Sequence, residues 1–287
     1  MSTITWTGTI TAISSIAHGE ESRGTYTMLR REIVTTPTGD RMEVPIISGN
    51  TLRGRLRRIG EELFRDAAGY AGLLSPAAAH TLRGGGSLAK TGKEPLSGAR
   101  LARMRELVPQ LGVFGGAGGG TIIGGALDVG KVVPHVAETA RITGVHTTTA
   151  AFNATQVEAY TRQDDDRQHD FVGVPATATL TFDEDGHPTV VATGGNQMRF
   201  HIETFPAGTT FSTWLRLRRP TDLEAAFFAD VLAEFAQNGR LGGRIAIGHG
   251  QVRADLTPTR EPATDFDWRG FVSDNRDEIL QVLKALA

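Results

Sequence analysis

Two segments carry the 3.6-residue periodicity of an amphipathic helix, and each lies between segments that alternate with period two. This order limits the folds open to the chain more than any other feature. The first helix is expected from about Thr51 to Arg65, where Leu52, Leu56, Ile59 and Leu63 recur on one stripe. The second is TDLEAAFFADVLAEFAQNG: Thr221 and Glu224 form a capping-box pattern, Leu223, Phe227, Val231 and Phe235 make the stripe, and Gly239 ends it. Ahead of the first helix, residues 3–13 (TITWTGTITAI) set Ile4, Trp6, Gly8 and Ile10 against threonines, the period of a half-buried strand. ALDVGKVVP, Gln197–Glu203 and Thr209–Leu217 read as further strands, IAIGHGQVRADL as a closing strand, and Asn275–Leu286 as a last short helix. The order strand, helix, strands, helix, strand predicts an α+β, ferredoxin-like (RRM-like) βαββαβ core, taken as a single domain over residues 1–287 with two large insertions. Residues 67–110, helical and glycine-rich with a helix near Leu101–Leu107, form the first. Residues 144–196 form the second, which holds TRQDDDRQHD and a hairpin, TLTFDEDGHPTVVA, turning at Asp185-Gly186.

With 287 residues and 39% hydrophobic content the chain can bury a proper core. The absence of cysteine excludes a disulfide framework and a thiolate metal site. No basic-then-apolar leader opens the sequence and no apolar run approaches the ~20 residues of a membrane span, so the expected setting is cytoplasmic with no membrane partner. A net charge of −2 argues against a wholly cationic binder but leaves room for a local basic face. The 35 glycines cluster at Gly84–Gly86, at Leu111–Lys131 and at Asn238–Arg253, which marks places where the backbone turns or lies close to something.

Positive charge is concentrated at one junction. VPIISGNTLRGRLRR, Val44 to Arg58, puts four arginines into its last six residues directly after an apolar strand. Ser48, Asn50 and Thr51 sit where free N–H groups begin a helix, and an anion is stabilised there by those donors and the helix dipole. Arg53 and Arg57, one turn apart, are expected to close on a phosphate with bidentate hydrogen bonds, with Arg58 beside them. The other reading of the same spacing is a solvated basic face capped by Asn50.

Three rival chemistries start from other stretches. GALDVGK, Gly125 to Lys131, matches the first seven positions of a P-loop, but Val132 offers no hydroxyl to magnesium and Pro134 stands where the phosphate-binding helix should run. DDDRQHD, Asp164 to Asp170, lacks the spacing of a calcium loop and reads as a solvated run. His18 is the candidate general acid or base for RNA cleavage through the 2′-hydroxyl, against a structural histidine in the loop after the first strand. Neither a cofactor nor a resident metal is expected.

VPIISGNTLRGRLRR also resembles the "proline, small residue, serine, leucine, lysine or arginine, glycine, arginine" motif of the RAMP superfamily of CRISPR proteins. His18-Gly19, LGVFGG (Leu111–Gly116), FPAGTTF (Phe205–Phe211) and LGGRIAIGHGQV (Leu241–Val252) follow in the family's order over some 240 residues. The arrangement is most similar to the "seventh" Cas family, the effector backbone subunit, in a type IV version. The resemblance implies a non-enzymatic subunit that polymerises along a guide RNA (crRNA), contacts its own copies and other effector subunits, and meets target nucleic acid through pairing to the guide. The alternative is a guide-processing RAMP endoribonuclease using His18. By the same resemblance a thumb lies within 144–196, and RNA contacts are expected from His18, Phe114, Arg162, Arg167, Arg244 and His249 besides the junction residues. Type III relatives cleave target RNA with an aspartate, whose place here falls on Thr27, with Glu20, Glu21, Glu32 and Asp40 as nearby substitutes.

Overall fold

The computed structural model describes residues 2–87, 97–118, 121–162, 178–182, 185–192, 198–262, 265–284 and 286. In chain order, β1 (Ile4–Ala12) is followed by two hairpins, β2 (Gly19–Arg23) with β3 (Tyr26–Leu29) and β4 (Arg31–Thr35) with β5 (Arg41–Pro45). Helices α1 (Gly49–Ala68), α2 (Pro76–Gly84), α3 (Gly98–Leu107) and α4 (Pro109–Phe114) come next. Short strands β6 (Gly116–Gly118), β7 (Thr121–Ile123), β8 (Leu127–Val129) and β9 (Val133–Pro134) lead to one turn of helix, α5 (Ala140–Thr143). The remainder comprises β10 (Gln156–Arg162), β11 (Ala178–Phe182), β12 (Pro188–Ala192), β13 (Met198–Thr204), β14 (Thr210–Leu217), α6 (Asp222–Asn238), β15 (Val252–Pro258), α7 (Trp268–Asp274) and α8 (Arg276–Lys284).

The central sheet runs β15-β1-β14-β8, with antiparallel neighbours throughout and β9 also pairing with β14. Taken as β1, α1, β8, β14, α6, β15, the unit places its four strands in the spatial order fourth, first, third, second. That is the ferredoxin-like βαββαβ core expected from the element order.

Alternation decides which face is buried. Ile4 pairs with Leu217 and Ile10 with Phe211, all fully buried, while Thr5, Thr7, Thr9 and Thr11 fall on the opposite side. Helices α1 and α6 cover the apolar side, where Trp6 meets Phe228 edge-on at 5.3 Å. The expected stripe of α6 is buried in full, Leu223, Phe227, Val231 and Phe235 together. In α1 the last stripe position is taken by Phe64, with Leu63 only partly buried.

A second sheet, β10-β13-β3-β2, joins the hairpin after β1 to the long segment before β14, with β13 and β3 parallel. The hairpin β2-β3 of this sheet, and β4-β5, which form a two-stranded sheet of their own, escape a periodicity reading because their strands are four or five residues long and largely polar. The closing strand starts at Val252 rather than Ile245. Ile245–Ile247 form a 3-10 turn, and Gly248 and Gly250 take φ of 97° and 81°. At Gly250 a Cβ would stand 2.2 Å from the Leu241 carbonyl oxygen, so this loop needs glycine both for its angle and for its close approach. The last helix expected over Asn275–Leu286 is α8, and α7, which precedes it, was not expected from the sequence. The helix expected at Leu101–Leu107 lies within α3, and β11 and β12 pair as the expected hairpin around Asp185-Gly186, with Gly186 at φ 80°. DDDRQHD and Arg167 lie outside the described residues. No helix among the described residues is long and apolar enough to cross a membrane.

Candidate nucleic-acid interface

Ser48 caps the 20-residue α1: its hydroxyl accepts from the Thr51 N–H at 3.3 Å. The Ser48 N–H is itself taken, donating to His18 Nε2 at 3.2 Å. His18 must therefore carry its proton on Nδ1. Burial, with the Arg30 charge beside it, holds its pKa below the ordinary histidine value of 6.5. The N–H groups of Gly49 and Asn50 find no acceptor among the described residues, as the first turn of a helix requires. They open onto a groove of about 530 Å³ lined also by Arg30, Glu32, Arg53, Asp128 and Lys131. Three cations thus meet two carboxylates. Glu32 is paired with Lys131 and stands 3.9 Å from Arg30, and Asp128 is held by Arg218 at 3.2 Å. This is a positive concavity at the positive end of a helix dipole, suited to a phosphate.

The two arginines expected to close on that phosphate part company. Arg53 lines the groove, its guanidinium steadied by the carbonyls of Leu127 and, at 2.8 Å, Phe114. Arg57 faces inward and is 6% exposed. Its Nε donates to the Leu82 carbonyl at 3.2 Å, Nη1 to Phe114 at 2.9 Å, and Nη2 to Gly115 and, at 3.5 Å, to Thr81. Those carbonyls end α2 and α4, where a helix leaves its last acceptors unpaired, so Arg57 caps two helices at once. Burial and the neighbouring Arg53 charge lower its pKa to about 10, which leaves it charged at neutral pH. Its donors are spent on the fold, and the expected phosphate clamp loses one jaw. Arg58 is exposed but outside the groove, on the face where Arg240 and Arg83 also act on Arg55.

Phe114 is corrected as well: it is 2% exposed and packs edge-on against Phe228 at 6.2 Å, a core residue rather than a contact for RNA. His249, 2% exposed, lies between the Ser15 hydroxyl at 2.9 Å and the Tyr160 hydroxyl at 2.5 Å. Tyr160 also donates to Glu158, which accepts from Thr204 at 2.8 Å as well. Burial acts to raise the Glu158 pKa, but hydrogen bonds from Tyr160, Ser15, Thr204 and Gln156 bring it down to about 2. His249 therefore pins the glycine-rich loop to the second sheet. Arg244 stays exposed in that loop at φ 57°, its guanidinium 5.2 Å from the Phe200 ring centroid, with Ile245 and Ile247 exposed beside it. Arg162 closes β10, on the same sheet as Phe200 of β13.

Sequence reading missed Arg30 and Lys131, the cations that accompany Arg53. Arg30 carries no local sequence signal; it reaches the groove because its N–H donates to the His18 carbonyl, which returns the chain to the His-Gly turn. Lys131 sat in view inside GALDVGK, whose P-loop resemblance fails in space too: Val132 exchanges backbone hydrogen bonds with Ile47, and β9 follows where a helix was needed. Thr27 hydrogen-bonds Ser22 at 3.0 Å. Of the nearby acids, Glu20 accepts from the Arg31 N–H, Glu32 is ion-paired, and Asp40 accepts from Thr38 in a turn. Among the described residues no three acids or histidines converge as a metal site.

No curated protein matches the chain. A solved chain from a structure described as "Type IV-B CRISPR Complex" is 33% identical, with a TM-score of 0.57, over 89% of this chain and 90% of that one. The model of the RAMP superfamily matches residues 5–253, spanning β1 to the start of β15 with the groove and the glycine-rich loop inside it. The chain belongs to the RAMP superfamily.

Proposed function

We propose that this chain is a non-enzymatic, crRNA-binding backbone subunit of a CRISPR effector complex, repeated along one guide RNA. The observation that carries the reading is the groove at the start of α1, where unpaired N–H groups of Gly49 and Asn50 share a concavity with Arg30, Arg53 and Lys131. Such a site holds phosphates without reading bases, as a subunit that must accept any guide requires. Family membership and the likeness to a chain of a type IV-B complex support the assignment. Polymerisation calls for two different exposed surfaces that meet head to tail. The glycine-rich loop, where Arg244, Ile245 and Ile247 are exposed, is one surface assigned to that interface, and the family resemblance assigns the insertion at 144–196, in the role of a thumb, to the other and to the RNA within it. A guide-processing nuclease built on His18 is the second reading. The engagement of His18 Nε2 by the Ser48 amide weighs against it.

Replacing Arg30 and Lys131 by glutamate tests the groove. Affinity for single-stranded RNA should fall alike for unrelated sequences, and the slope of log affinity against log salt should flatten by roughly 0.7 for each phosphate the protein no longer neutralises. A fall confined to particular sequences would make these cations base readers, and unchanged binding would remove the groove from the interface.

A further inference from the structure

The open face of the central sheet holds a second concavity, of about 700 Å³, that the phosphate groove does not account for. Its floor is Thr7 and Thr9 of β1 with Ser212 of β14, and its walls are Trp214, Val133 and Ile142. Threonine and serine are short, so the sheet is shallow here and the one large ring stands over it. Trp214 lies against Gly130, where a Cβ would come within 2.6 Å of the indole Nε1; any side chain at 130 would displace the ring. The indole is nonetheless 40% exposed, and Ile142 across from it 54%. The Arg216 guanidinium lies 5.3 Å from the Trp214 ring centroid and makes no ion pair among the described residues. Among the described residues no carboxylate lines the slot, and the charged lining residue is Lys131.

Lys131 and Val129 also line the phosphate groove, so the two concavities adjoin along one short stretch of chain, β8 to Lys131. The GALDVGK motif thus supplies both: Asp128 and Lys131 to the groove, and Gly130 and Lys131 to the slot.

We propose that the slot seats one unpaired nucleobase of the RNA strand whose phosphate lies at the start of α1, stacked on Trp214, with Lys131 between base and phosphate. The proposal rests on the RNA-binding reading above and deepens it. The slot's volume lies in the range of roughly 300–1,000 Å³ typical of small-ligand sites. A π-face accepts any base, which suits a guide of arbitrary sequence, and the hydroxyls of Thr7, Thr9 and Ser212 are there for base edges. A slot without a carboxylate in its lining among the described residues, with Arg216 beside the ring and the Lys131 ammonium, shared with Glu32, at its rim, favours a nucleotide over an acidic or a purely aliphatic occupant.

Tryptophan fluorescence reads this directly, because Trp6 and Trp268 are 4% and 3% exposed and Trp214 alone of the three is accessible. RNA-free full-length protein is titrated with a uridine hexamer and with an abasic hexamer of equal phosphate number. The base-bearing strand should quench the emission and bind more tightly, and the abasic strand should bind without quenching. Trp214→Ala should lower hexamer affinity about 5- to 150-fold, the range for removing one stacking aromatic, with an unchanged salt slope. Trp214→Phe, which keeps a ring in place, should retain part of the affinity. Equal quenching and affinity for the two strands overturns the proposal. So does a Trp214→Ala protein that binds the hexamer normally but assembles abnormally, since the slot then receives a neighbouring copy. If the Arg30 and Lys131 substitutions abolish hexamer binding while Trp214→Ala does not, the slot is refuted and the RNA-binding reading stands. A wild-type protein that binds neither strand refutes both.

Discussion

His18 shows how a residue with catalytic chemistry can be taken up by the fold. Its Nε2 accepts the Ser48 N–H, so the neutral ring is the form that holds the start of α1 in place. A histidine whose folded pKa lies below 6.5 contributes stability that is complete above pH 6.5 and is lost as pH falls through the folded value. His135, also lowered by burial, adds to the same trend, so a comparison of variants is needed. In His18→Gln the side-chain carbonyl can replace Nε2 as acceptor without titrating. Urea midpoints at pH 7.5 and 5.5 should fall further for the wild type than for this variant. Equal falls would mean that the Ser48 hydrogen bond does not depend on the ring's protonation state.

At the scale of elements, Arg57 joins α1 to the ends of α2 and α4 through four carbonyls. Arg57→Ala removes the charged donor from all four carbonyls; Phe114, Leu82 and Thr81 keep Arg53, Gln110 and the Gly85 N–H, while the Gly115 carbonyl keeps no donor among the described residues, and the expected loss is about 3 kcal/mol in denaturant unfolding. Lysine has a point charge in place of a planar fork and should not restore the stability. RNA affinity per folded molecule should stay near the wild-type value, because Arg57 lies outside the groove. A large drop in affinity with little loss of stability would return Arg57 to the binding surface. The sequence placed Arg53 and Arg57 one turn apart on α1, and that much was legible. Which of them meets solvent depends on α2 and α4, brought in from 24 to 58 residues further along the chain.

For the whole molecule, the reading predicts a particle rather than a subunit. Light scattering before and after nuclease should show a large assembly that shrinks when its RNA is removed, with excess absorbance at 260 nm before treatment. A single-subunit species free of RNA would exclude the filament. The same particle, given magnesium and guide-complementary RNA, should leave that RNA intact. Periodic products that vanish when Glu20, Glu21, Glu32 or Asp40 is replaced would restore a catalytic role.

Local patterns determined the core of this protein. Period-two alternation in TITWTGTITAI, the α6 stripe and the Thr221/Glu224 cap each act over a few residues, and their order left the βαββαβ arrangement as the fitting one. The capped, positive start of α1 was legible for the same reason: Ser48, Gly49 and Asn50 are consecutive, and a helix end exposes its donors whatever surrounds it. Tertiary structure alone decided the rest. Phe114, Arg57 and His249 carry side chains suited to RNA, but each is buried against elements remote in sequence: Phe228, the ends of α2 and α4, and Ser15 with Tyr160. Arg30, Lys131 and Trp214 line the two adjoining concavities only because β8 and β14 pair beside β1 and the stretch after β8 crosses the start of α1. Burial and the convergence of distant side chains depend on packing between elements, and no short window of sequence contains them.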